Sequence, residues 1–272
     1  MNLAIRSMIA ADKDEVLISC DLSQAETWIV AYLANDEKMK WALINDDIHS
    51  TTAAAIFELN VIGSPKQAAK DGIIPPDKRY TGKRVNHATT YRMSAPKFCS
   101  VYNSDAENPI TVGQARRFQD LWFDLYTGIK PWWLDLENEA RRNDRFLVTP
   151  YGRRMQFVGK WNNELLKEMT AYKPQSTVAD HFRGRLQKHN EIPGGLLEFQ
   201  RKISKYDSVA IRQQGHDSAL VSAPKSCGME IAELLRSCLD RPVIVNGEEV
   251  RIPVDGEMGD RWGELEKITW RN

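Results

Sequence analysis

The stretch Glu15-Val16-Leu17-Ile18-Ser19-Cys20-Asp21-Leu22-Ser23-Gln24-Ala25-Glu26 decides how the chain is read. Val16 to Ile18 is a short apolar run, the pattern of a strand covered on both faces. It ends on a carboxylate, Asp21. Ser23 is placed to cap a helix running from about Gln24 through Trp28, Val30 and Leu33. Such a strand end holds Asp21 rigidly at a surface where a cation reaches it. On this stretch alone, Asp21 and Ser23 do no more than punctuate a strand-to-helix turn. The rest of the chain changes that reading.

A chain of 272 residues is long enough for one large or two modest cores. With 42% hydrophobic and 27% charged residues, neither disorder nor a coiled coil is indicated. The formal net charge is zero, so any nucleic-acid surface must come from local clustering of cations. Cys20, Cys99, Cys227 and Cys238 form neither a CxxC pair nor a zinc spacing. They read as reduced thiols of a cytosolic protein without a targeting segment. No apolar run reaches membrane-spanning length, so no membrane partner is predicted.

Outward from the opening strand, short helices are predicted at Lys38–Ile44 and Thr51–Phe57, separated by the polar turn Asp46 to Ser50. Pro75-Pro76-Asp77 is a stop followed by an N-cap, and Lys78–Met93 is the next helix. Arg79, Lys83 and His87 recur at i, i+4 and i+8, and Tyr91 continues their stripe. Several cations on one stripe suit an anionic partner; the plainer reading is a solvated basic face. Two further helices, Thr111–Leu125 and Pro131–Asn143, flank the turn Tyr126-Thr127-Gly128. Trp122, Trp132 and Trp133 read as packing residues. Phe146 to Thr149 turns at Pro150-Tyr151-Gly152 into Arg153 to Phe157, a hairpin pattern. A long helix over Asn163–Gln187 is predicted to break near Lys173-Pro174, and His189 to Gly195 to form a loop. His181 and His189 read as structural or exposed. Ser208 to Gln214 and Ala219 to Ser222 form a second hairpin, with Asp217 at its tip. Gly228–Leu239 is an amphipathic helix, Val250 to Val254 a last strand, and Asp255 to Trp262 a polar tail.

Asp21 and Asp217 are thus two carboxylates at element ends, far apart in sequence, as two ligands brought together by a sheet would be. Magnesium takes oxygen ligands, typically one or two carboxylates plus substrate phosphates. A pair of such ions holds the attacking and leaving oxygens of a phosphoryl transfer.

At this point a resemblance is plain. Asp21-Leu22-Ser23-Gln24-Ala25-Glu26 resembles motif A of the family A (DNA polymerase I-like) DNA polymerases. Arg79-x3-Lys83-x3-His87-x3-Tyr91 resembles motif B, the fingers helix, and Gln214-Gly215-His216-Asp217 resembles motif C. Asp47-Ile48-His49, the hairpin Thr149-Pro150-Tyr151-Gly152-Arg153-Arg154 and the helix segment Pro174 to Asp180 resemble three secondary marks of the family. Order and spacing fit from about Ile5 to Trp262, and Leu22 and Ala25 give motif A a phage-type flavour.

The resemblance implies an α/β (α+β) fold. An antiparallel-sheet palm, residues 1–35 and 144–272, would carry both aspartates. A mostly helical fingers subdomain, 36–143, would be inserted in it. It implies template-directed DNA synthesis from dNTPs on primer-template DNA in a bacterial or phage-infected cytoplasm. Asp21, Asp217 and the Leu22 carbonyl would hold two Mg2+ ions. His49, Arg79 and Lys83 would grip the triphosphate, with Lys83 protonating the leaving pyrophosphate. Glu26 would crowd a ribose 2′-hydroxyl, and His87 and Tyr91 would pack against the nucleotide. Arg153, Gln175 and His216 would contact the primer-template. The match starts just before motif A, so thumb and exonuclease parts are expected to be absent, or supplied by a separate chain. A non-catalytic DNA-binding remnant or accessory subunit is the competing expectation, and an RNA polymerase relative a third, against which Glu26 speaks. The chain also departs from the family pattern. His87 stands where an aromatic Phe or Tyr is usual, Arg92 where a Gly follows Tyr91, Gly215 for an apolar residue, and Ser218 for a Glu beside Asp217. Ala171 stands where an Asn often contacts the minor groove.

Overall fold

The computed structural model describes residues 3–185 and 192–270; His189 lies outside the described residues. In chain order the elements begin with α1 (Leu3–Arg6), β1 (Glu15–Leu22), α2 (Ala25–Leu33), α3 (Glu37–Asn45), α4 (Ile48–Ile56), α5 (Pro65–Lys70) and α6 (Pro76–Thr90). They continue with α7 (Ala95–Tyr102), α8 (Val112–Leu125), α9 (Ile129–Arg142), β2 (Phe146–Val148), β3 (Arg154–Gln156), α10 (Asn163–Arg183) and α11 (Gly195–Ile203). The chain then forms β4 (Ala210–Gln214), β5 (Ser218–Pro224), α12 (Gly228–Leu239), β6 (Pro242–Val245), β7 (Glu248–Arg251), β8 (Val254–Gly259) and β9 (Glu266–Lys267).

Backbone contacts divide these elements between two units. The first comprises Met1–Ile29, Val148–Arg153 and Pro174–Asn272, the second Val30–Leu147 and Arg154–Lys173. Relative to the sequence division at 35/36 and 143/144, residues 30–35, 144–147 and 154–173 group with the second unit. For the start of α10 the side chains give the reason. Tyr172 meets Phe157 edge to face, and Lys173 Nζ pairs with Glu139 Oε2 at 2.6 Å.

The first unit is built on a five-stranded sheet in the order β4-β5-β1-β8-β9, with antiparallel neighbours throughout. In β1, Val16, Leu17 and Ile18 are all buried, so both faces are covered there, as the apolar run predicts. Beyond Ile18 the strand alternates: Cys20 and Leu22 are buried while Ser19 and Asp21 are partly open. That period of two turns Asp21 to the less covered face. Helix α12 lies against β1, and the approach is close, since a Cβ on Gly228 would sit 2.7 Å from Val16 Cγ1.

The sheet corrects the sequence reading after α12. Asn246 and Gly247, with φ 51° and 85°, form the two-residue turn of a β6–β7 hairpin. The residues read as a polar tail begin with β8, which pairs with β1 along Leu17 to Leu22. Helix α2 starts at Ala25 after Gln24 at φ 54°, rather than on a Ser23 cap. Helices α7 and α11 fall where no element was predicted. Pro174 does not break α10. Its missing N–H withholds one helical hydrogen bond from Thr170. Buried Leu165, Met169, Val178 and Phe182 on either side hold the helix together.

In the second unit α4 and α6 pack at close range. A Cβ on Gly82 would meet the His49 carbonyl oxygen at 2.4 Å and the Ala53 nitrogen at 3.0 Å, so only glycine fits there. Thr111 caps α8 in a reciprocal capping box with Gln114. Trp122 and Trp132 are core residues, as read from the sequence.

Candidate functional site

Two groups of predicted residues take shape, one in each unit. In the first, Asp21 stands at the C-terminal end of β1 and Asp217 in the turn between β4 and β5. The Leu22 N–H donates to the Asp217 carbonyl at 2.9 Å, which ties the strand end to the hairpin tip. Register puts Ser218 opposite Asp21 on one side and Asp255 opposite it on the other, with Glu257 opposite Ser19. Directly opposed residues share a face, so Asp21, Asp255 and Glu257 crowd one surface. Burial, followed by the charges of Asp255, Asp217 and Glu257, pushes the Asp21 carboxyl up to about 6, with Lys267 opposing. An excess of negative charge of this kind, on hard oxygen ligands, fits a divalent cation such as Mg2+. Asp21, Asp217 and the Leu22 carbonyl are the groups the resemblance implies for it, although among the described residues no three His, Cys, Asp or Glu side chains are grouped as a metal site.

Glu26, in the first turn of α2, lies beside this group. His216 Nε2 is 3.3 Å from Glu26 Oε1, and Gln175 Nε2 is 3.5 Å from Glu26 Oε2. The hairpin tip departs from the family pattern in a linked way: a Cβ on Gly215 would lie 2.5 Å from Ser218 Oγ. The neighbouring Cys20 thiol is pushed up to about 12 by burial and by Asp21, which makes it chemically inert at neutral pH. Arg153 is committed within the unit. Its guanidinium grips the buried Asp180 carboxylate through Nε at 2.9 Å and through its terminal nitrogen, and Arg185 joins the same carboxylate at 2.6 Å. His181 is structural, stacked on Tyr151 and hydrogen-bonded to its hydroxyl at 2.7 Å.

The second unit carries His49, Arg79, Lys83, His87 and Tyr91. His49 sits in the first turn of α4, not in a loop, because Asp47 is the N-cap and accepts from the Ser50 N–H at 2.9 Å. Arg79 on α6 binds Asp47 with both arms, Nε to Oδ2 at 2.7 Å and its terminal nitrogen to Oδ1 at 2.9 Å. Burial would raise the Asp47 carboxyl, but the hydrogen bonds from Arg79 and Ser50 outweigh it and hold it below the usual range. Asp47 thus neutralises Arg79. Lys83, one turn on, is exposed and makes no ion pair among the described residues. His87 is exposed and meets the Tyr91 ring edge to face at 5.3 Å.

His49 is buried, and its imidazole is pushed down to about 4 by burial, against Asp47 and with Arg79 and Lys83. It is therefore neutral at physiological pH. The Asn86 amide donates to His49 Nδ1 at 3.2 Å, which places the ring proton on Nε2. Asn86 is the hub of a buried network that sequence reasoning missed. Its Oδ1 accepts from Thr52 Oγ1 at 2.8 Å and from Trp122 Nε1 at 2.7 Å, and Tyr126 donates to Thr52 at 3.0 Å. Asp255 and Glu257 were missed as well, although Val254, Gly256 and Met258 alternate with them at strand period.

Comparison with known proteins bears on the family and the fold. The description "DNA polymerase family A" matches residues 1–264, nearly the whole chain. The protein belongs to that family. DNA polymerase I of Borreliella burgdorferi is 26% identical over 269 residues, which cover 96% of this chain and 26% of that protein. DNA polymerase I of Deinococcus radiodurans is 25% identical over 94% of this chain and 24% of its own length. The chain thus spans about a quarter of these relatives. Among solved structures, the POL domain of Pol1 from M. smegmatis, in complex with DNA primer-template and dNTP, superposes with a TM-score of 0.74 at 20% identity. That match covers 96% of this chain and 42% of the other. It is a likeness of fold, the antiparallel sheet with its helical companion unit. Among the described residues no helix is long and apolar enough to cross a membrane.

Proposed function

We propose that the chain carries out template-directed DNA synthesis, joining dNTPs to a primer 3′-hydroxyl, and that the two units are its palm and fingers. The observation that carries this reading is the Leu22-to-Asp217 backbone hydrogen bond, which keeps two carboxylates at one place on a sheet otherwise overloaded with negative charge. Two Mg2+ ions bound by Asp21, Asp217 and the Leu22 carbonyl would supply charge neutralisation at the attacking and leaving oxygens. The remaining roles fall to the chain's own side chains. His49, neutral with its proton on Nε2, donates a hydrogen bond to the triphosphate. Arg79 adds its partly exposed guanidinium, which Asp47 holds in place. Lys83 meets the triphosphate with an unneutralised ammonium and protonates the departing pyrophosphate. Tyr91 and His87 pack against the nucleotide, and Gln175 and His216 contact the primer-template, whereas Arg153, held by Asp180, shapes the hairpin rather than reaching the DNA.

Glu26 discriminates the sugar, held where His216 and Gln175 flank its carboxylate. Glu26→Ala is expected to admit ribonucleotides, with the deoxy preference falling by about 10²-fold, the range a pocket's shape supports. Competing single ribo- and deoxynucleotide incorporation checks this, and an unchanged preference removes Glu26 from the role. Loss of incorporation in Lys83→Ala, with DNA binding intact, tests the triphosphate side.

A further inference from the structure

Helix α6 carries the side chains to which the polymerase reading assigns the incoming nucleotide, and the inference below rests on that reading. The helix is held in the second unit near its N-terminal end by the Arg79–Asp47 pair and by the close contact at Gly82. Its C-terminal end is held by a residue that the family pattern does not supply. Arg92, the residue after the Tyr91 cap, has φ 59°, the left-handed region that favours glycine. A side chain stays in that conformation only where its surroundings over-determine it.

The surroundings of Arg92 do so. Its Nε donates to Thr170 Oγ1 on α10 at 2.9 Å, one terminal nitrogen donates to Glu137 Oε1 on α9 at 2.8 Å, and the other to the Trp133 carbonyl at 3.2 Å. The guanidinium also lies over the Trp133 ring at 4.5 Å. Trp133 Nε1 in turn donates to the Thr90 carbonyl at 3.2 Å, and Gln119 on α8 donates to the Met93 carbonyl at 2.7 Å. Three neighbouring helices thus converge on the last turn of α6, and the Arg92 side chain reaches two of them.

We infer that Arg92 is a positioning residue for nucleotide binding: it anchors the C-terminal end of α6 and thereby fixes Tyr91 and His87 one and five residues before it. A glycine at this position would adopt the same backbone and make none of these ties.

Arg92→Gly is therefore the informative variant, because it keeps the backbone conformation and removes only the anchor. Arg92→Lys keeps the charge but cannot reach all three partners, and Glu137→Gln weakens one of them. In amide hydrogen exchange on the full chain without DNA, residues 86–93 are expected to exchange at least about tenfold faster in Arg92→Gly, with α4 unchanged. In steady-state incorporation on primer-template, KM for dNTP is expected to rise about tenfold with kcat within about twofold, and the Lys and Gln variants to lie between. Unchanged exchange in 86–93, or an equal loss of kcat and kcat/KM at constant KM, overturns the proposal. If the unmodified chain incorporates no nucleotide, the polymerase reading fails, and the exchange result alone then decides whether Arg92 anchors the helix.

Discussion

Asp217→Ala is expected to lower nucleotide incorporation by at least about 10³-fold, because a lost metal ligand removes several kcal/mol of transition-state stabilisation and each 1.36 kcal/mol is tenfold in rate. Asp21→Asn is expected to lose as much activity and yet to fold better. The Asp21 carboxyl is pushed up to about 6 by burial and by Asp255, Asp217 and Glu257. A raised pKa means that the folded state favours the protonated acid, so the ionised acid opposes folding. That opposition is absent below about pH 4, grows as pH rises through about 6, and is complete at pH 8. Without divalent metal, Asp21→Asn is therefore expected to be more stable than the unmodified chain at pH 8 by about 1 kcal/mol, a figure reduced for the part-exposed position. The two should converge at pH 4. Thermal unfolding with a chelator across that range measures it, and parallel curves would contradict the charge crowding on this face. A variant that gains stability while losing activity separates a site from a structural ion pair.

Asn86→Ala is expected to be the most damaging change in the second unit. The amide serves His49, Thr52 and Trp122 at once, all of them buried. Removing it leaves His49 Nδ1 and Trp122 Nε1 without a partner, while Thr52 keeps Tyr126, and at about 1–3 kcal/mol for each unsatisfied group the loss is about 2–4 kcal/mol after local rearrangement. It also frees His49 to exchange ring tautomers, so the variant that survives should bind dNTP more weakly. Chemical denaturation gives the first quantity and nucleotide KM the second. A stability change below about 1 kcal/mol would mean that the network is not shared as described.

The parts of this architecture that were legible in the sequence are those with local signals. The Val16–Ile18 run, the Thr111 cap and the α12 pattern each specify an element from neighbouring residues. The stripe Arg79, Lys83, His87, Tyr91 was legible because helical periodicity is local too. Elements whose meaning lies in their partners were not. Asp255 and Glu257 look like a solvated tail until β8 is paired with β1, and Asn86 is one more polar residue on a helix until α4 and α8 pack against it. Asp180 likewise acquires its role from Arg153 and Arg185, far from it or on the next turn. The Asn246-Gly247 turn is a different case: its dipeptide is a strong local hairpin signal, and the single strand read at Val250 to Val254 falls across the two strands β7 and β8. Pro174 overstated itself, because buried side chains on both sides of it outweigh one lost hydrogen bond.

The most direct test is single-nucleotide primer extension by the purified chain and by Asp217→Ala, on a short primer-template at low salt with dNTPs and Mg2+. The polymerase reading predicts template-directed addition by the unmodified chain, loss of that addition in Asp217→Ala, and loss again on chelation. Addition by Asp217→Ala at the unmodified rate, or none by a folded, DNA-bound unmodified chain, would contradict it.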